Sequence, residues 1–241
     1  MANRKDAAPR HLLALESSTP EGGVALLREG ELIGSARLSG GLRHGRELLP
    51  AASAILERAG LAPASLWAVA VSAGPGSYTG LRVGVMAAKA LAYGTGCRLI
   101  AVSSLAALAA SLQEDGVAAM AAQDARRDEV YAGLYRLENG DASPLAADAA
   151  MTPEEARDIL ARRLDKGEGT RLIGSGFSSY PGLFRDLGGA AAAEGRVDPA
   201  ATARLGWRRL LRGEADDPMR LQPIYLRRDA GADWARDRLI G

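Results

Sequence analysis

Residues 66–93 constrain the fold more than any other stretch of the chain. An apolar run from Leu66 to Ala73 predicts a short strand covered on both faces. Gly74-Pro75-Gly76 must end it, because proline fixes its own φ and glycine enters backbone conformations closed to other residues. Ser77 or Thr79 can then cap a helix by accepting from its first free N–H groups. Beyond that cap, Gly80, Gly84, Ala87, Ala88 and Ala92 recur three or four residues apart and leave one helix face nearly bare. Three uses of this geometry stay open: an anion at the helix N-terminus, a partner packed on the bare face, or a helix packed tightly on its own sheet. Two nucleotide motifs are excluded. No Gly-Lys-Ser/Thr follows as a Walker loop requires, and Gly74, Gly76 and Gly80 are one residue too widely spaced for a dinucleotide fingerprint.

The flanking segments repeat a pattern. His11–Ser17, Val24–Arg28 and Glu31–Leu38 read as a strand meander with turns at Pro20–Gly23 and Glu29-Gly30. A helix is expected over His44–Ala59, with Leu48, Leu49, Ala52, Ile55, Leu56 and Ala59 on one face and Gly60 as its C-cap. After the stretch just described come a strand at Arg98–Val102 and a helix, capped by Ser103, over Ser104–Leu112. The second half is a shorter version. Strands are expected at Val117–Ala122 and Glu129–Leu137, with a hairpin turn at Glu138–Asp141 and a weak third strand at Ser143–Ala147. A helix opened by Thr152-Pro153-Glu154-Glu155, a strand at Arg171–Gly174 and a short helix follow. Both first strands end near an acidic residue, Glu16 and Asp124.

Meander, helix, strand, helix, given twice, predicts an α/β chain with the ribonuclease-H-like core duplicated, as in the actin, sugar-kinase and heat-shock ATPases, and a reduced second subdomain. The expected division is a flexible tail over 1–10, a first subdomain over 11–103 that carries the partner helices, a second over 104–220 and a C-terminal tail over 221–241. In ATPases of this architecture the nucleotide lies between the halves, and a first-strand carboxylate stands near its metal.

Charge narrows the function classes. Lys plus Arg number 30 and Asp plus Glu 29, a balance that offers no general nucleic-acid or membrane surface. A local basic patch at Arg204, Arg208, Arg209 and Arg212 remains open. A single cysteine, Cys97, excludes an internal disulfide and fits a reducing compartment. The apolar run Leu12–Leu15 is too short for a signal peptide, and Ser103 and Ser104 interrupt the longest apolar segment, so a cytoplasmic protein without membrane contact is expected.

No catalytic constellation emerges. The two histidines, His11 and His44, form no H-E-x-x-H, Ser77 is not in a G-x-S-x-G elbow, and no Ser-His-Asp signature or metal site is expected. Glu16 with Ser17, Ser18 and Thr19 is the best candidate for a phosphate- or Mg²⁺-facing turn. A strand end capped by hydroxyls is the other reading. The candidate nucleotide or anion contacts are Glu16, Ser17, Gly76 and Ser77.

Several blocks, in order, closely resemble the TsaB (YeaZ) family of tRNA threonylcarbamoyladenosine biosynthesis proteins. They are Leu12–Thr19, His44–Pro50, Gly74-Pro-Gly-Ser-Tyr-Thr-Gly-Leu-Arg-Val-Gly84, Val102–Ala106, Asp124-Ala-Arg-Arg-Asp-Glu-Val-Tyr131 and Pro223–Arg227. Residues 138–198 match loosely. Glu16 stands where many members carry Asp, and Tyr78 where Phe is common. The resemblance implies two actin-like subdomains and a non-catalytic scaffold. Such a scaffold pairs with TsaD, the catalytic relative, or with itself as a homodimer, and recruits TsaE, a P-loop ATPase. ATP and Mg²⁺ belong to the partner subunits, no cofactor to this chain alone, and tRNA is met through the complex. Pairing through first-subdomain helices in a four-helix arrangement implies an interface at Leu48, Leu49, Ala52, Ile55, Gly80, Gly84, Val85 and Ala88. The rivals are an autonomous actin-class ATPase or kinase, and a glycoprotease-type peptidase, for which no zinc or nucleophile motif is present. A resuscitation-type protease would need export.

Overall fold

The computed structural model describes residues 9–40, 44–185 (for His44 the backbone alone) and 195–226. β1 (His11–Glu16), β2 (Gly23–Arg28) and β3 (Glu31–Arg37) form the first meander. Then come α1 (His44–Arg58), β4 (Ala68–Gly74), α2 (Tyr78–Thr95), β5 (Arg98–Ser103) and α3 (Ser104–Ala110). β6 (Val117–Arg126), β7 (Glu129–Glu138), β8 (Asp141–Met151), α4 (Pro153–Asp165), β9 (Thr170–Ile173), α5 (Ser175–Ser179), α6 (Pro181–Phe184) and α7 (Pro199–Leu211) complete the order.

The first sheet has the order β3-β2-β1-β4-β5 and the second β8-β7-β6-β9. Each meander is antiparallel, whereas β4 pairs parallel to β1 and β9 parallel to β6. The second sheet thus repeats the first without a counterpart of β5, which is the duplicated ribonuclease-H-like core with a reduced second half. β1 is central and covered on both faces, so its apolar run does not alternate. Leu13, Leu15, Val69 and Val71 pack with Leu48, Ile55, Val85 and Ala88 of α1 and α2. Leu12, Ala14, Ala70 and Ile100 turn to the other side, against Ala203 and Trp207 of α7. α3 lies at the seam, where Leu105 and Leu108 pack with Ala119, Ala121, Tyr135 and Leu137 of the second sheet.

Several boundaries differ from the sequence expectation. The expected 104–220 division puts helix α7 in the second subdomain, yet it covers the first sheet, where the rings of Trp207 and Trp67 lie 5.1 Å apart. The chain after α7 also returns to the first subdomain. Asp216 bridges Leu99, and the Ile224 N–H donates to the Ala73 carbonyl at 2.7 Å. Residues 221–226, expected as a tail, are therefore a strap, while 227–241 lie outside the described residues. At the other end Arg10, expected within the tail, is held by Glu29 and lies over the Trp67 and Trp207 rings. The weak strand expected at 143–147 runs from Asp141 to Met151, because pairing with β7 supplies the order that its own sequence lacks. Pro144 is tolerated there since β8 is an edge strand. The strand expected from Leu66 begins at Ala68, after a 3₁₀ turn at Pro63–Ser65. The helix expected to reach Leu112 ends at Ala110.

Candidate functional site

Parallel pairing of β1 and β4 sets the turn after Glu16 beside the Gly74-Pro75-Gly76 turn. The two turns are locked together. Ser77 N–H donates to the Ser18 carbonyl at 2.8 Å. Gly76 has φ +157°, and a Cβ there would stand 2.5 Å from the same carbonyl oxygen. Ser77 caps α2 by accepting from Gly80 N–H at 3.3 Å, and the Ser17 hydroxyl donates to the Gly80 carbonyl at 2.8 Å. The bare face of α2 is what admits this turn. A Cβ on Gly80 would lie 2.0 Å from the Ser17 carbonyl oxygen, and one on Gly84 2.1 Å from the Ser17 hydroxyl. Of the three uses left open by the spacing, the small face serves packing on the chain's own first sheet and turn.

Glu16 is fully buried at 0 % exposure. One carboxyl oxygen accepts from Ser18 N–H at 2.7 Å and from the Ser18 hydroxyl. The other accepts from Ser72 of β4 and, at 3.1 Å, from Thr202 of α7. Burial pushes its pKa above the usual carboxylate range, and the hydroxyl and N–H donors pull against that. The expectation of a phosphate- or Mg²⁺-facing turn is corrected here: Glu16 and Ser17 are buried and engaged within the fold. Gly76 and Ser77 are only half-buried, with the Ser77 hydroxyl committed to its cap. Thr202, the partner that sequence reading missed, comes from 186 residues away, and no local pattern announces it.

A second polar cluster crosses the seam between the sheets. Asp148 of β8 accepts from the Ser103 hydroxyl at 2.6 Å and from the Tyr135 hydroxyl. Ser103 simultaneously caps α3 at Ala106 N–H, 3.2 Å away. Gly133 leaves room for this contact, since a Cβ there would lie 2.3 Å from an Asp148 carboxyl oxygen. Burial raises the Asp148 pKa against those two donors, and burial with the Asp148 charge raises that of Tyr135. At the end of the second first-strand, Asp124 accepts from Arg126 N–H at 2.8 Å and pairs with its guanidinium at 3.4 Å.

The expected partner residues need correction as a set. Leu48, Ala52, Ile55, Gly80, Gly84, Val85 and Ala88 are buried by the chain itself. Leu49, 49 % exposed, is the exception. The amphipathic pattern identified the inward faces of α1 and α2, and an apolar stripe is inward whenever a sheet lies beneath it. The outward side of α2 carries Tyr78, Arg82, Met86 and Tyr93. Within the basic patch, Arg209 pairs with Glu214 and donates to the Ala101 carbonyl, and Arg212 pairs with Glu214 and Asp141. Among the described residues no three His, Cys, Asp or Glu side chains group as metal ligands. No helix among them is long and apolar enough to cross a membrane.

A family model described as "TsaD: tRNA N6-adenosine threonylcarbamoyltransferase" matches residues 40–171. The chain is similar to the Bacillus subtilis (strain 168) "tRNA threonylcarbamoyladenosine biosynthesis protein TsaB", 33 % identical over 229 residues, which are 92 % of this chain and 97 % of that one. An Escherichia coli (strain K12) protein of the same description is 31 % identical over 223 residues, 90 % of this chain and 94 % of that one. Among solved structures, "YeaZ from Pseudomonas aeruginosa" superposes with a TM-score of 0.75 at 28 % identity, covering 90 % of this chain and 100 % of that one.

Proposed function

Because this chain belongs to the TsaB (YeaZ) family of tRNA threonylcarbamoyladenosine biosynthesis proteins, we propose that it serves that modification as a non-catalytic scaffold. In this reading it pairs with TsaD, recruits TsaE, and forms a homodimer when alone, all in the cytoplasm. It needs no cofactor of its own, ATP and Mg²⁺ being used by the partners, and meets tRNA through the assembly.

The observation that carries the non-catalytic part is Glu16. In an actin-class ATPase the first-strand carboxylate must face the cleft, ionised, to help hold a metal-bound nucleotide. Here the carboxyl at that strand end is fully buried and accepts from Ser18, Ser72 and Thr202, with burial pushing its pKa up against those donors. A carboxyl so engaged gives up its ligand role, which supports a scaffold over an autonomous ATPase or kinase. For pairing, the outward side of α2 replaces the inward residues that the amphipathic pattern singled out.

In vitro threonylcarbamoylation of tRNA with TsaD, TsaE and the threonylcarbamoyl-adenylate donor tests the reading. Modification is expected to require this chain, with no ATP turnover by the chain alone. Equal modification in its absence, or turnover by the isolated chain, would overturn the scaffold role and favour the autonomous ATPase.

A further inference from the structure

A cavity of about 240 Å³ lies where three segments meet: the link from α3 to β6, the hairpin between β7 and β8, and one flank of α7. None of its lining residues belongs to the Glu16 cluster or to the Asp148 cluster. The link is held tightly there. Gln113 has φ +55°, uncommon for a residue with a side chain, and Gly116 N–H donates to the Leu137 carbonyl at 2.7 Å. Ala110, Leu137 and Ala201 give the cavity an apolar wall. Its volume falls below the roughly 300–1,000 Å³ of pockets for drug-sized ligands and suits a small metabolite.

The charged groups of the wall divide into paired and unpaired. Glu114 pairs with Arg171 at 2.7 Å, and Asp141 with Arg212 at 2.8 Å. Arg204, half-buried on α7, has no carboxylate within ion-pair reach among the described residues. Asp115 has no cation within that reach and accepts only from Gly140 N–H, at 3.0 Å. A cation and an anion thus face one cavity without pairing with each other. The Gln113 side-chain amide on the same wall is also without a hydrogen-bond partner among the described residues.

A partly desolvated guanidinium is best satisfied by a carboxylate, which it can hold through two parallel N–H donors. A ligand of one sign would satisfy either Arg204 or Asp115 and be repelled by the other, whereas a molecule carrying both charges satisfies both. We propose that this cavity binds a small zwitterion, an α-amino acid with a short side chain, whose carboxylate takes the Arg204 guanidinium and whose ammonium faces Asp115. The Gln113 amide supplies a further polar contact, and Ala110, Leu137 and Ala201 receive the side chain. A bound amino acid then ties α7, which covers the first sheet, to the hairpin of the second.

Calorimetric titration of the full chain with L-alanine, L-serine and L-valine tests this, against propionate and propylamine, which carry one of the two charges each. At least one amino acid is expected to bind saturably and both single-charge probes about tenfold or more weaker. Arg204→Gln and Asp115→Asn should each weaken amino-acid binding about tenfold or more, and Arg204→Lys should lose less. Asn keeps an acceptor for Gly140 N–H, and thermal unfolding without ligand checks that each variant keeps its fold. Absence of saturable binding by all three amino acids would overturn the site. Propionate binding as tightly as L-alanine, with Asp115→Asn without effect, would make this a simple anion site and overturn the zwitterion. Amino-acid affinities within about twofold of wild type in both Arg204→Gln and Asp115→Asn would place the binding elsewhere and overturn the cavity.

Discussion

At the scale of single residues, Glu16 and Ser17 set the chemistry of the first strand's end. A carboxyl whose folded-state pKa is raised contributes stability below its unfolded pKa and loses that contribution as pH rises through the folded value. Burial raises the Glu16 value, so the wild type is expected to lose stability from pH 5 to pH 8 more steeply than Glu16→Gln. Thermal unfolding at the two pH values measures this, and parallel slopes would show that Glu16 does not titrate there. Ser17 distinguishes two glycines of α2. A Cβ on Gly80 meets the Ser17 backbone carbonyl, which is rigid, whereas one on Gly84 meets the Ser17 hydroxyl, which can rotate away. Gly80→Ala should therefore cost about 1–3 kcal/mol and Gly84→Ala less. Adding Ser17→Ala should reduce the Gly84→Ala cost and leave the Gly80→Ala cost, a difference that urea unfolding midpoints resolve.

At the scale of elements, the helix starts were readable and the helix partners were not. Ser77, Ser103 and Thr152 all act as N-caps where the sequence places hydroxyls before helical runs. Thr152 also forms a capping box: its hydroxyl accepts from Glu155 N–H at 3.2 Å while Glu155 accepts from Thr152 N–H at 2.8 Å. Since this box is local and exposed, Thr152→Ala should cost about 0.5–2 kcal/mol. Chemical denaturation would show it as a shifted midpoint with an unchanged slope. The leucine and small-residue stripes of α1 and α2 were equally legible as apolar faces. Periodicity, however, reports only that a face is covered, not what covers it, and here the cover is β1, β2 and β4. The exposed side of α2 is the mixed one, Tyr78, Arg82 and Met86, which an amphipathic count assigns to solvent.

At the scale of the molecule, the two halves are interleaved along the chain. Helix α7 follows the entire second sheet yet closes the first, placing Ala200, Ala203, Trp207 and Leu210 over Leu12, Ala14, Leu27 and Ile100. It also delivers Thr202 to Glu16. A chain ending at residue 198 would leave that face of the first sheet in water and is expected to lose cooperative unfolding by circular dichroism. Trp207→Ala in the full chain should cost about 3–5 kcal/mol, read from denaturant unfolding. A truncated chain that unfolded cooperatively at the wild-type midpoint would show that α7 is not needed to complete the first subdomain.

The sequence by itself determined the duplicated strand-meander, helix, strand, helix order, the hydroxyl caps, the glycine turn at 74–76 and the fully apolar central strands. Each of these is written in residues close together along the chain, where backbone preference and side-chain period act directly. Tertiary structure alone decided that β8 extends to Met151, that α7 and the strap belong with the first sheet, and that Gly80 and Gly84 receive Ser17. It also decided that Glu16 faces Ser72 and Thr202. These depend on contacts between segments far apart in the chain, whose partners no local pattern specifies.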